Sequence, residues 1–257
     1  MAYFRNAQSF YLGGPRTAAA AAYTITGTLE TDLLLEDLVI DASTQHMIDD
    51  VRVAGQSIFA SDKGCPVTAF APNSWLSQTG HKSAAIPLAS RQQVSISGNA
   101  ASAFGGGGAT VAGFAWGTAP IAPEAVIPVN QLGGEALSYV VGLGEVNIAA
   151  GATGVLTCTI RRPVMLGAMV IDFDGGGPST DSFIRSITVN NVEMLSGESG
   201  AAGEVPISAV GPNSSDIDGK LIAYPAALNS QVSVTIVNNS GGAINYAGAI
   251  FTLPSAS

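Results

Sequence analysis

The sequence predicts an all-β chain: two tandem β-sandwiches of jelly-roll type, related by internal duplication, with an N-terminal arm. Three observations predict it. The 257 residues repeat a set of anchors in one order. Apolar and polar residues alternate at a period of two. Turn-forming clusters separate these runs, and no β-α-β alternation occurs.

An internal repeat organises the chain. Residues 23–41 (YTITGTLETDLLLEDLVID) match residues 154–172 (GVLTCTIRRPVMLGAMVID) without a gap. Thr26 and Thr28 meet Thr157 and Thr159, Leu35 meets Leu166, and Val39-Ile40-Asp41 meets Val170-Ile171-Asp172. Ser43-Thr44 and Ser179-Thr180 each precede a strand-like run. Pro72-Asn73-Ser74 matches Pro212-Asn213-Ser214, Pro87 matches Pro225, and Gln93-Val94-Ser95-Ile96 matches Gln231-Val232-Ser233-Val234. Val111-Ala112-Gly113 matches Tyr246-Ala247-Gly248 before the last strand of each copy.

These anchors divide the chain into an arm (1–22), a first jelly roll (23–118), a connector (119–153) and a second jelly roll (154–257). Each copy is about 100 residues, the size of a small β-sandwich. Val232, Val234 and Ile236 alternate with Ser233 and Thr235, as Val94 and Ile96 do with Ser95 and Ser97, which predicts half-buried strands. Ser61-Asp62-Lys63-Gly64, residues 105–108, residues 174–177 and residues 238–242 read as turns. Residues 43–50 could form one short helix, although Asp49 and Asp50 would sit at its wrong end for the dipole. Pro120, Pro123 and Pro128 make the start of the connector extended, and residues 134–142 could add a helix. In the arm, Tyr3, Phe4, Arg5, Phe10, Tyr11 and Arg16 occur with no acid. Such an arm docks either on a neighbour or on its own domain.

Composition narrows the function classes. Charged residues are 11%, against roughly 25% in ordinary soluble proteins, and the net charge is −9. A disordered chain needs low hydrophobicity and dense charge, which are absent. A nucleic-acid binder needs a basic face, which ten Lys and Arg do not supply. Two readings of the low charge stay open: a surface largely packed on other subunits, or a harmless Gly/Ser/Thr-rich β surface. There is no apolar run of about 20 residues. Polar residues break any apolar core of a secretory signal after Arg5, so synthesis in the cytosol is expected.

Few residues of the sequence stand in a pattern that carries chemistry. His46 and His81 sit in no metal-ligand spacing, and no nucleophile elbow, phosphate loop or dinucleotide fingerprint occurs. Cys65 and Cys158 fall at unmatched points of the repeat and read as free buried thiols. Asp172, Asp174 and Asp181 bracket a Gly-rich loop and form a weak calcium candidate, with turn formation as the alternative. Asp216 and Asp218 form a second, similar pattern. Arg161-Arg162 stands where the first copy has Glu30-Thr31; such a sign reversal suits an inter-subunit contact, or marks two unrelated solvated patches.

Taken together, duplication, size and composition resemble the double jelly-roll coat proteins of icosahedral viruses, particularly tailless bacteriophages with an internal membrane. The resemblance covers residues 23–253 and rests on no diagnostic motif, so no functional residue is transferred. It implies a non-enzymatic major capsid protein of the virion, made in the host cytoplasm. It implies homotrimers that are pseudo-hexagonal and tile a shell. It also implies contacts with other capsid proteins and an arm that reaches a neighbour or the membrane. No cofactor other than the calcium candidate is expected. Alternatives are a minor capsid or cement protein, or a tandem carbohydrate- or surface-binding module using Trp75 or Trp116. A two-cupin enzyme would need more histidine than the chain carries.

Overall fold

Alternating runs become strands where another run lies opposite to complete their backbone hydrogen bonds. A computed structural model describes residues 6–11, 16–18, 21–70, 86–101, 104, 109–119, 140–174, 181–195, 204–211 and 221–253. The first half holds β1 (Asn6–Tyr11), β2 (Arg16–Ala18), β3 (Ala22–Thr28), β4 (Leu33–Ala42), β5 (Met47–Val53), β6 (Gln56–Ser57), β7 (Cys65–Pro66), β8 (Ile86–Leu88), β9 (Gln93–Asn99) and β10 (Ala109–Ala119). The second holds β11 (Val140–Ile148), β12 (Thr153–Thr159), β13 (Val164–Asp174), β14 (Ser182–Val189), β15 (Val192–Glu193), β16 (Val205–Pro206), β17 (Leu221–Ala226), β18 (Gln231–Asn238) and β19 (Ile244–Leu253). Two short 3-10 turns, Val67–Phe70 and Ile207–Ala209, follow β7 and β16. No helix among the described residues is long and apolar enough to cross a membrane.

The halves share one topology. In the first, β1-β10-β4-β8 faces β3-β9-β5-β6, with β2 added on β10 and β7 on β5. In the second, β11-β19-β13-β17 faces β12-β18-β14-β15, with β16 on β14. From β3 to β5, and again from β8 to β10, successive strands belong to opposite sheets, as in a jelly roll. The chain is therefore all-β, two jelly rolls in tandem.

The correspondence extends to single residues. Asp41 lies opposite Ala112 as Asp172 lies opposite Ala247. Pro87 pairs with Leu34 as Pro225 pairs with Met165. The β5–β9 ladder shifts register between Ile48 and Asp50, and β14–β18 shifts between Ile184 and Ser186. The hairpins after β5 and β14 both use two positive-φ residues, Ala54-Gly55 and Asn190-Asn191.

Of the two alternatives for the arm, the described residues take the second: residues 6–11 and 16–18 dock on their own domain, paired along β10 as strands of the first sandwich, with Phe10 opposite Ala115, Tyr11 opposite Phe114 and Arg16 opposite Val111. Two other expectations are corrected. An edge strand needs only main-chain partners, so NAQSFY qualifies without alternation. Tyr3, Phe4 and Arg5 lie outside the described residues. The connector holds β11, so residues 140–142 are strand and not helix. Residues 47–50 begin β5 because burying Met47, Ile48, Val51 and Val53 outweighs the local helix signal.

Candidate interface: the seam between the two repeats

Strand β13 departs from the alternation of its neighbours. Its run VMLGAMVI is apolar on both parities, the pattern of a strand covered on two faces. Leu166, Met169 and Ile171 face the core of the second sandwich. Ala168 and Val170, with Ala249, Phe251 and Val140 from β19 and β11, join the core cluster that contains Phe59, Cys65, Val67 and Phe70 of the first. The sheet β11-β19-β13-β17 is thus sandwiched between its own partner sheet and the first repeat. Phe59 and Phe70 meet at 6.5 Å between ring centroids, inclined at 52°. Burying a side chain such as Phe59, 4% exposed, contributes about 1.5–3 kcal/mol.

Main-chain hydrogen bonds stitch the same seam. Ala60 N–H donates to Val140 O at 2.7 Å, and Arg161 N–H donates to Ala60 O at 2.7 Å. Asp62 N–H donates to Thr159 O at 3.1 Å and receives Thr159 N–H on its carboxylate at 2.7 Å. Gly144 N–H donates to Gly64 O at 3.0 Å, and the Ser61 hydroxyl donates to Gly142 O at 2.9 Å. A Cβ at Gly142 would collide with the carbonyl oxygens of Lys63 and Gly64, so the two backbones need glycine to come this close.

One buried carboxylate pins the seam. Asp172, 4% exposed, accepts from the Thr68 hydroxyl at 2.5 Å, from Gln45 Nε2 at 3.2 and 3.1 Å, and from Phe173 N–H at 2.8 Å. Thr68 and Gln45 belong to the first repeat and Asp172 to the second. Burial pushes the Asp172 carboxyl above its ordinary value, and these hydrogen bonds pull it partly back. No sequence signal marks this trio, whose members lie 104 and 127 residues from Asp172.

A second polar group lies on β3 and around the start of β5. The Tyr23 hydroxyl is 2.6 Å from His46 Nε2, and His46 Nδ1 is 3.0 Å from Thr44 O. Burial pushes the Tyr23 hydroxyl up, aided by Asp49, and pushes the imidazole down, partly offset by the Thr44 carbonyl. Asp49 is pushed up by burial and by its acidic neighbours Glu145 and Asp50. Asp50 accepts from Arg52 Nε at 2.7 Å and from the Ser57 hydroxyl at 2.5 Å, while Glu145 accepts from Phe104 N–H at 2.9 Å.

Arg161 joins the seam through its main chain, leaving its side chain exposed, and Arg162 is half-buried beside it. Asp172 and Asp174 are electrostatic neighbours at the end of β13. Asp181 accepts Asn239 N–H on its main-chain oxygen, and residues 175–180 lie outside the described set. Among the described residues, no group of three His, Cys, Asp or Glu stands together as a metal site. Cys65 and Cys158 are free and buried, as expected; burial pushes the Cys65 thiol well up and Cys158 up to about 12. Trp75, His81, Asp216 and Asp218 lie outside the described residues. Trp116 is placed by its backbone, opposite Ser9 and Asp37.

No protein-family model and no curated protein matches the chain. Among solved structures it is similar to a recombinant N-glycanase F (PNGase F), with 13% identity and a TM-score of 0.36 over 98% of this chain and 96% of that one. It is also similar to the ANXUR1 extracellular domain from Arabidopsis thaliana, with 11% identity and a TM-score of 0.22 over 96% and 83%. At these TM-scores neither likeness bears on function.

Proposed function

We propose that the chain is a structural coat subunit that assembles, as pseudo-hexagonal trimers, into the shell of an icosahedral virus particle. The observation that carries this reading is the seam. Two jelly rolls of one topology are joined by a shared apolar cluster, a main-chain ladder and a buried carboxylate. A unit of two like bodies can offer near-equivalent edges to its neighbours, and three such units offer six. A charged fraction of 11% keeps repulsion low between packed copies. The role is mechanical and non-enzymatic, its partners are further copies and other capsid proteins, and its place is the virion after synthesis in the host cytoplasm.

Negative-stain microscopy of the concentrated protein tests the reading. Closed shells or hexagonally packed sheets are expected. Dispersed 25.9 kDa monomers at every concentration would remove it.

A further inference from the structure

The seam joins unlike surfaces: the β6–β7 side of one repeat meets the β11-β19-β13 face of the next. Each repeat owns both surfaces, because the two share one topology. One pair is consumed within the chain. Among the described residues, neither repeat covers the other pair, the β15–β16 side of the second repeat and the β1-β10-β4 face of the first.

The described residues carry the trace of this difference. Asp172 is 4% exposed, whereas Asp41, at the equivalent register position, is exposed. On the other surface, the β5–β9 and β14–β18 registers make Met47 equivalent to Phe183. The pairings of Met47 with Pro66 and of Phe183 with Pro206 then align the following residues. Met47, Cys65, Pro66 and Ala69 are buried, while Phe183, Val205 and Ala209 are half-buried and Pro206 is exposed. Thr68, whose hydroxyl holds Asp172, aligns with Ser208, an exposed residue with the same hydroxyl donor.

We propose that a second copy of this chain fills the vacancy. Phe183, Val205, Pro206 and Ser208 of one chain dock on the Asp41 end of the β1-β10-β4 face of the next. The Ser208 hydroxyl donates to Asp41 as Thr68 does to Asp172. The match is not complete, since Gln45, which donates to Asp172, aligns with Asp181, so the joint brings a carboxylate and not an amide donor toward Asp41. A joint between unlike surfaces is heterologous, so it closes into a ring or runs on as a filament. The inference rests on the assembly reading above and specifies its contact.

The test is a paired-cysteine variant of the full chain, Asp41→Cys with Ser208→Cys, under mild oxidation at assembling concentration. The native thiols are buried and serve as background. Disulfide-linked dimers and trimers on a non-reducing gel are expected from the pair, and not from either single variant. Separately, Ser208→Glu sets a second carboxylate against Asp41 and should lower the light-scattering mass toward 25.9 kDa without changing the circular-dichroism spectrum. Absence of inter-chain linkage in protein that assembles, or an unchanged mass for Ser208→Glu, overturns the joint alone. Linked rings that never build larger particles uphold the joint and overturn the shell.

Discussion

The Tyr23 hydroxyl stands 2.6 Å from His46 Nε2 while His46 Nδ1 stands 3.0 Å from Thr44 O, so both imidazole nitrogens are engaged. The arrangement fits a neutral ring, with Nδ1–H donating to the carbonyl and Nε2 accepting from tyrosine. His46 is 1% exposed, and burial pushes it below its ordinary 6.5. Below pH 6.5 the unfolded chain therefore binds a proton that the folded chain refuses. Stability contributed by His46 is full above pH 6.5 and falls as the pH drops through the folded value. Urea unfolding followed from pH 7 to pH 5 should show this decline, and His46→Gln should flatten it. An equal slope in both proteins would dismiss His46 as the source.

Asp172 has the opposite sign. Its carboxyl is raised above 3.8, so the folded chain takes up a proton before the unfolded one. Its contribution is largest below pH 3.8 and is lost as pH rises through the folded value. Thr68→Val removes a hydroxyl donor from a buried charge and should cost about 1–3 kcal/mol at neutral pH. Acidification should recover part of that loss, because the protonated carboxyl needs fewer donors. A Thr68→Val penalty that ignores pH would mean that packing, not the hydrogen bond, is what Thr68 supplies.

Gly142 tests how tightly the two repeats are joined. Its missing Cβ leaves room for the Lys63 and Gly64 carbonyls, which are main-chain atoms with little freedom to yield. Gly142→Val should destabilise by about 1–3 kcal/mol or more, read as a lower urea midpoint. It should also uncouple the halves, so that tryptophan fluorescence and circular dichroism no longer report one transition. A single, unshifted transition would show that the seam is looser than its hydrogen bonds imply.

The all-β sandwich layout was legible because its anchors are residues with fixed structural duties. Pro87 and Pro225 lie at equivalent places in paired strands, and Gln93 and Gln231 open β9 and β18. The seam was half legible. The unbroken apolar run of β13 signals a strand covered on both faces, but periodicity cannot say what covers the second face. The Thr68–Asp172 pair was hidden because it is set by packing between repeats, and Asp172 instead suggested a calcium loop. The choice between the arm's two alternatives was hidden because an edge strand is defined by what it pairs with, here β10, and not by its own pattern.

The hairpin after β5 carries a local conflict that the second repeat avoids. Its two turn residues, Ala54 and Gly55, have φ of 49° and 83°. Glycine tolerates this region, but an alanine Cβ meets the following carbonyl there, at a cost of about 1–2 kcal/mol. The equivalent turn uses Asn190 and Asn191, at φ of 49° and 66°. Asparagine enters this region more readily than alanine, and Asn-Gly is the favoured pair for a tight two-residue hairpin. Ala54 N–H donates to Gln93 O at 2.7 Å, as Asn190 N–H donates to Gln231 O at 2.9 Å, so the backbone need not move. Ala54→Asn should therefore raise the unfolding free energy by about 0.5–1 kcal/mol, relieving part of that strain. The gain should appear as a higher urea midpoint with an unchanged denaturant slope. A variant no more stable than the parent would show that the turn is relaxed with alanine in place.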